Sequence, residues 1–221
     1  MSGPAETRTM SVDEVVDALR QQIVDHDLPP GSKLRETALA ESFGISRPRL
    51  REAFGILEDR GLIERVRNQG AVVSRLTADQ VEALFDVREV LEALAVRLAT
   101  QNAPKGTWDE LRYRFGEPAR AALARNDINY YVEAINAFRS QTIIEARNAF
   151  LTQSLDKLYD RTRVLVRRLV LVPGRVAAAL DEHQRILDAM MAGEAERAED
   201  LKRANIRSAR QWFSDYKKFL L

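Results

Sequence analysis

The chain has 221 residues, 45% of them hydrophobic, and its 34 Lys and Arg nearly balance 33 Asp and Glu. That length suffices for one large domain or two small ones with cores of their own, and the charge balance leaves no overall positive field, so contact with nucleic acid must come from a local patch. Cys is absent and His occurs only at His26 and His183, which excludes disulfides, thiol nucleophiles and cysteine metal sites, and leaves too few imidazoles for a three-His site.

No Ser/His/Asp or Glu-x-x-His constellation occurs either, so an enzyme is not expected. The start, MSGPAETRT, lacks the apolar or Arg-rich amphipathic patterns of leader peptides, and no run of ~18 apolar residues follows. Residues 1–10 are expected to be a disordered arm on a soluble, cytoplasmic protein.

From Ser11 the pattern is helical. Ser11 and Glu14 have capping-box spacing, and Val12, Val15, Val16, Leu19 and Ile23 recur on one face. The helix ends before DLPPGSKL, a stiff turn; a short second helix is predicted at about 36–43, with Leu39 and Phe43 inward and Gly44 closing it. Ser46 then caps a third helix, Pro48 lies in its first turn where a missing N–H is harmless, and Leu50, Phe54 and Leu57 give it a buried face as far as Arg60 and Gly61. The runs 63–66 and 71–74 read as a β-hairpin around a turn rich in Asn, Gln and Gly. Three helices and a hairpin, with a tight turn between the second and third helices, is the order of a winged helix-turn-helix.

Beyond Thr77, another cap, only helices are predicted: 77–101, 106–125, 127–146, 149–171, 175–192 and 194–219, with breaks at NAPKG, RND, RNA, VPG and AGE. The expected fold is mainly α, a winged helix-turn-helix at 11–76 followed by an all-α bundle of six to seven helices at 77–221.

Chemistry concentrates at the third helix. Between Gly44 and Arg75 there are seven arginines against four acids, and guanidinium groups can fork onto guanine O6 and N7 or grip phosphates. Arg47, Arg49 and Arg51 cluster at a helix N-terminus, where cations oppose the helix dipole by roughly 0.3–1 kcal/mol each, so something else must compensate for their placement.

The stretch LRETALAESFGISRPRLREAFGILEDRGLIERVRNQGAVV, residues 34–73, resembles the GntR family of bacterial transcription regulators. The resemblance implies that Ser46, Arg47 and Arg51 contact phosphates and bases and that Gln69 and Gly70 at the wing tip reach the minor groove. Two positions depart from the family pattern: Pro48-Arg49-Leu50 replaces Thr-Pro-Val, which makes Arg49 an additional donor, and Thr37 stands where an arginine is usual.

The segments VREVLEALAVRLAT (87–100), NAFRSQTIIEARNAFL (136–151) and DEHQRILDAMMAGEAERAEDLKRANIRSA (181–209) are similar to the FCD effector domain of the FadR-type subgroup. That similarity implies a homodimer, a palindromic operator in double-stranded DNA, a ligand-dependent and commonly repressive action, and a pocket in the bundle for a carboxylated metabolite. Most of that subgroup hold a metal with one Asp and three His. The corresponding positions here are Ile135, Arg139, His183 and Asn205, so no metal and no other cofactor is expected.

Helical spacing also places these polar residues on apolar faces: Arg139 among Val132, Ile135 and Ile143, His183 among Val176, Leu180, Leu187 and Met190, Asn205 near Leu201, and Arg88 among Val81, Leu84, Leu91 and Ala95. Taken singly, each has a structural reading, the arginines pairing with Glu92 or Glu145 and the others making core hydrogen bonds. Taken together they are expected to form an anion site in which Arg88 and Arg139 clamp a carboxylate or phosphate and His183 and Asn205 hydrogen-bond the remainder. The rival expectation is a constitutive DNA-binding regulator whose bundle serves only for dimerisation, its interior filled by side chains such as Phe138, Met190 and Trp212.

Overall fold

The computed structural model describes residues 10–25 and 27–220; the expected arm, save Met10, lies outside them, as does His26. The first helix, α1 (Val12–Val24), begins with the capping box: the Ser11 hydroxyl accepts the Glu14 N–H at 3.2 Å and the Glu14 carboxylate accepts the Ser11 N–H at 2.7 Å. Val15, Val16, Leu19 and Ile23 are its buried face.

Next come α2 (Glu36–Ser42) and α3 (Arg47–Asp59), joined at Gly44 with φ +63°, a left-handed conformation suited to glycine. Ala40 is the buried residue of α2, whereas Leu39 and Phe43 are only half-buried, because so short a helix presents one residue squarely to its neighbours. In α3 Leu50, Ala53, Phe54 and Leu57 are buried and Pro48 sits in the first turn. Ser46 holds the N-cap position in extended conformation, but its side chain makes no capping hydrogen bond.

The hairpin pairs β1 (Ile63–Val66) with β2 (Gly70–Val73), Ile63 opposite Val73 and Val66 opposite Gly70. The second strand starts one residue earlier than predicted, since Asn68 takes a left-handed turn conformation (φ +65°) and frees Gly70 for the ladder. Residues after the prolines run along the other edge of β2: Gly31 N–H donates to the Val73 carbonyl at 2.8 Å, Val73 N–H to the Ser32 carbonyl at 2.9 Å, and Leu34 N–H to the Ala71 carbonyl at 2.9 Å. The expected turn is thus also an extra edge of the wing.

The chain divides into two compact units that meet at Arg75 and Leu76. The second comprises α4 (Ala78–Asn102), α5 (Asp109–Arg114), α6 (Glu117–Ala124), α7 (Ile128–Ala146), α8 (Ala149–Leu169), α9 (Arg175–Met191) and α10 (Ala195–Leu220). The helix predicted over 106–125 is therefore two. Gly116 adopts ψ −133°, off the helical path, at a site where a Cβ would lie 3.1 Å from the Tyr113 carbonyl oxygen, and Pro118 restarts the helix in its first turn.

Packing in this unit is that of an amphipathic bundle. Its largest apolar cluster includes Val96, Phe115, Tyr131, Phe138, Leu180 and Ile186. Alongside it, α4 packs on α10 through Phe85 and Phe213, and Arg210 bridges Glu82 at 2.6 Å and Asp86 at 2.7 Å. Thr77 opens α4 with a second capping box, to Gln80.

Candidate functional site

The first candidate surface lies on the N-terminal unit. Ser46, Arg47, Arg49 and Arg51 are all exposed around the first turn of α3. The compensation that the helix dipole demands comes from Glu36, the first residue of α2: its Oε2 accepts from Arg51 Nε at 2.8 Å and lies 3.6 Å from an Arg47 η nitrogen. Arg49 has no hydrogen bond or ion pair among the described residues, and its donors stand open. With no capping bond to make, the Ser46 hydroxyl is open as well.

Gln69 and Gly70 are exposed at the wing turn, with Gln69 N–H tied to the Val66 carbonyl. Arg67, which sequence reasoning did not single out, is exposed beside them and likewise has no partner among the described residues. Its signal was present in the run RVRNQG, where alternation puts Arg65 and Arg67 on one face; Arg65 is held by Glu58 at 3.1 Å.

The second candidate site is inside the bundle. Arg88, Arg139, His183 and Asn205 come from four helices, are 4%, 8%, 4% and 4% exposed, and all line one cavity. Two further buried cations, Arg175 and Lys202, line it with them. The cavity is small, about 40 Å³, room for one or two waters. Phe138 forms part of its wall, Met190 belongs to the apolar core, and Trp212 stacks on Tyr216 instead.

Two carboxylates counter these cations. Glu92 is bound by Arg88 Nε at 2.7 Å and by Lys202 Nζ at 2.9 Å. Glu182 takes Arg175 at 3.2 Å, the Asn205 amide N–H at 2.6 Å and the Ser208 hydroxyl at 2.6 Å. The Asn205 amide oxygen accepts from Lys202 at 3.1 Å, so this residue bridges the two clusters. Arg139 pairs with neither Glu92 nor Glu145. It lies over the Tyr159 ring, 4.5 Å from the centroid, and has no hydrogen bond or ion pair among the described residues.

Burial would raise the Glu92 carboxyl, but the charges of Arg88, Lys202 and Arg139 hold it far below the usual carboxylate range. His183 goes the other way for a base: burial, then the nearby Lys202 ammonium, lowers it from 6.5 to about 3. It is a neutral imidazole, stacked on Phe115 with centroids 4.8 Å apart. Its Nδ1 lies 2.8 Å from the Ala179 carbonyl, an acceptor only, so Nδ1 carries the proton and Nε2 is left as an acceptor. His183 can therefore receive a hydrogen bond from a ligand hydroxyl but cannot donate one to a carboxylate.

This donor set does not fit a divalent metal ion. One neutral imidazole stands among Arg139, Arg175 and Lys202, with Ile135 and Asn205 at the other positions, and charge repulsion would add to the lack of ligands. Among the described residues no group of three or more His, Cys, Asp or Glu is arranged to hold an ion.

A winged helix-turn-helix with an arginine-bearing third helix, followed by a helical bundle, is the architecture of a DNA-binding transcription regulator. Comparison with known proteins makes the class specific. Residues 11–73 match the model of the bacterial regulatory proteins of the gntR family and residues 83–208 match that of the FCD domain, and the chain belongs to this family of transcription regulators. It is 30% identical over 194 residues to a probable D-xylose utilization operon transcriptional repressor of Paenarthrobacter nicotinovorans, covering 87% of this chain and 84% of that one. Identity to the HTH-type regulator YdhC of Bacillus subtilis is 28%, with 87% and 81% covered. McbR/YncC of Escherichia coli shares the fold, with TM-score 0.77, 21% identity and coverage of 93% and 98%. Among the described residues no helix is long and apolar enough to cross a membrane.

Proposed function

We propose that this regulator is a homodimeric, anion-responsive repressor. Each N-terminal unit, 11–76, sets α3 into the major groove of half a palindromic operator, where Ser46, Arg47, Arg49 and Arg51 make phosphate and base contacts and Gln69 and Gly70 approach the minor groove. The relative named as an operon repressor supports the sign of regulation. Dimerisation through α4 is supported by Val87 and Val90, 48% and 51% exposed, which with Ala83 and Leu94 follow the 3,4 spacing of a helix–helix seam.

Within the helical unit, 77–221, Arg139 and Arg88 hold a carboxylate or phosphate, Asn205 keeps one amide N–H and one lone pair for the ligand, and the His183 Nε2 lone pair accepts from a hydroxyl. A small hydroxy acid satisfies all of these groups. The single observation that carries the reading is Arg139: a buried guanidinium with no acidic partner among the described residues, facing a cavity. A buried cation is costly unless it is paired, and a ligand carboxylate would pair it. A bound anion would also compete with Glu92 for Arg88 on α4, the helix that joins this unit to the head, and so favour one conformation over another.

The test is calorimetric titration of short organic acids, with and without hydroxyl groups, followed by DNA binding with and without the best binder. Binding that is lost in Arg139→Ala supports the site, and unchanged affinity in that variant removes it. The second reading, a constitutive regulator with a purely dimerising bundle, is favoured by the cavity's 40 Å³. On that reading no acid changes melting temperature or operator affinity.

A further inference from the structure

An acidic residue in the face that meets DNA repels phosphates, yet Glu36 stands between the two arginines at the start of α3. We propose that Glu36 is a positioning residue for base reading: it fixes Arg51, and through shared charge Arg47, in the reading posture before DNA arrives.

The geometry of the contact carries the proposal. Arginine has five N–H donors, and the two η nitrogens hold the fork that matches guanine O6 and N7. Glu36 takes Arg51 through Nε alone, at 2.8 Å and with a single oxygen, Oε2. That contact leaves four η N–H groups unspent. The Arg51 side chain is 55% exposed and the Glu36 side chain 26%, so the anchored end is shielded and the fork is open. Arg47, 3.6 Å from the same oxygen, feels the charge without the hydrogen bond. Arg49, two residues before Arg51, has no such anchor among the described residues.

Two consequences follow. Anchoring removes part of the rotamer freedom that Arg51 would otherwise lose on binding a base, which favours the correct sequence and raises the ratio of specific to non-specific binding. The carboxylate also cancels part of the positive charge, which weakens sequence-independent attraction to phosphates and so lowers affinity for both kinds of DNA alike without changing the ratio. It is not required to hold α2 to the head, since the buried Ala40 of α2 and Leu50 and Phe54 of α3 provide apolar packing without it.

The experiment uses full-length protein and a duplex selected from a random library by the wild type, with a scrambled duplex as reference. Affinities for both are measured for the wild type, Glu36→Met, Glu36→Gln, Arg51→Ala and the Glu36→Met/Arg51→Ala double variant, on preparations that melt like the wild type. Glu36→Met, similar in volume but unable to accept, is expected to lower the selected-to-scrambled ratio roughly tenfold, with tighter binding to scrambled DNA. Glu36→Gln keeps an acceptor for Arg51 Nε and is expected to retain most of the ratio while binding both duplexes more tightly. In the Arg51→Ala background Glu36→Met is expected to leave the ratio unchanged. Equal changes on both duplexes in Glu36→Met, or a loss of ratio that persists without Arg51, would overturn the proposal. So would a selection that enriches no sequence, an outcome that would count against base reading by this head as a whole.

Discussion

Replacing Arg139 by methionine separates a binding role from a structural one, because the two predict opposite changes in stability. Arg139 is 8% exposed, with the Tyr159 ring 4.5 Å below the guanidinium and the charge of Glu92, which Arg88 and Lys202 already bind, to offset its own; it has no hydrogen bond or ion pair among the described residues. An uncompensated buried ion carries a penalty of several kcal/mol, of which a desolvated cation–π contact returns about 2 kcal/mol. Arg139→Met keeps most of the apolar stem and removes the charge, and is expected to leave the bundle equally stable or more stable by ~1–2 kcal/mol. For a chain of this size each kcal/mol moves the melting temperature by ~2–4 °C. Glu92→Gln is the contrasting change, since it strips Arg88 and Lys202 of their counter-charge and is expected to destabilise by ~3–5 kcal/mol. Scanning calorimetry on the bundle transition, with and without the best acid, reads both effects. The expected result is a raised or unchanged melting temperature for Arg139→Met together with loss of the acid-induced shift. A destabilisation as large as that of Glu92→Gln would refute the reasoning, because Arg139 would then be a structural ion and not an unpaired one.

Three further outcomes follow from the geometry. Arg49→Ala should cost ~1–3 kcal/mol at one base pair of the selected operator and relax preference there, which affinity measurements on singly substituted duplexes would show. His183→Phe should flatten the acid side of the stability profile. The folded imidazole titrates at about 3 against 6.5 unfolded, so the unfolded chain takes up the proton first as pH falls and stability drops through that window. Between pH 6.5 and 4.5, above the range where the contribution of Glu92 is lost, the wild type should lose about 2 kcal/mol that the variant keeps, as read by denaturant titration at each pH. Val87→Glu with Val90→Glu should convert a dimer to monomers in sedimentation and lower affinity for a two-half-site operator far more than for a single half-site; a dimer of unchanged strength would exclude α4 as the interface.

Legibility from sequence tracks the range of the interaction involved. Local devices were readable: the Ser11/Glu14 box, Pro48 in the first turn of α3, Gly44 with its positive φ, and Thr77 at the head of α4 each act within a few residues. The break at Gly116 was missed because a proline two residues on is compatible with a helix start or a kink, and nothing apolar changes phase there. The wing's extra edge at 31–34 was missed because it consists of backbone hydrogen bonds to β2, some forty residues away, and leaves no periodicity in GSKL.

The same logic applies to the site. Arg88, Arg139, His183 and Asn205 were legible as polar intrusions on apolar faces in mid-helix. Lys202 lies on the same buried face as Ala198, Asn205 and Ala209, but a lysine at such a position ordinarily snorkels to solvent, so spacing alone did not place it inside. Arg175 is the first residue of α9, where helical periodicity is not yet defined. The Glu36–Arg51 contact spans fifteen residues and needs the α2–α3 geometry before it exists.

The small cavity and its lining have to be explained together. A bundle that only joined two copies would gain stability from an apolar filling, since replacing buried ions by packed hydrophobic residues is often neutral or favourable by 1–4 kcal/mol. Instead, three arginines and a lysine surround the cavity, with two carboxylates among them. Glu92 and Glu182 hold three of the four cations and leave Arg139 over the Tyr159 ring. A cavity of about 40 Å³ holds that positive excess in a small space. An anion that entered would relieve a standing electrostatic penalty, and part of that relief is available to open the cavity around it. A cationic cavity with one unpaired guanidinium is therefore the lining that the proposed anion site requires, whereas a bundle that served only as a scaffold would gain stability by losing that charge.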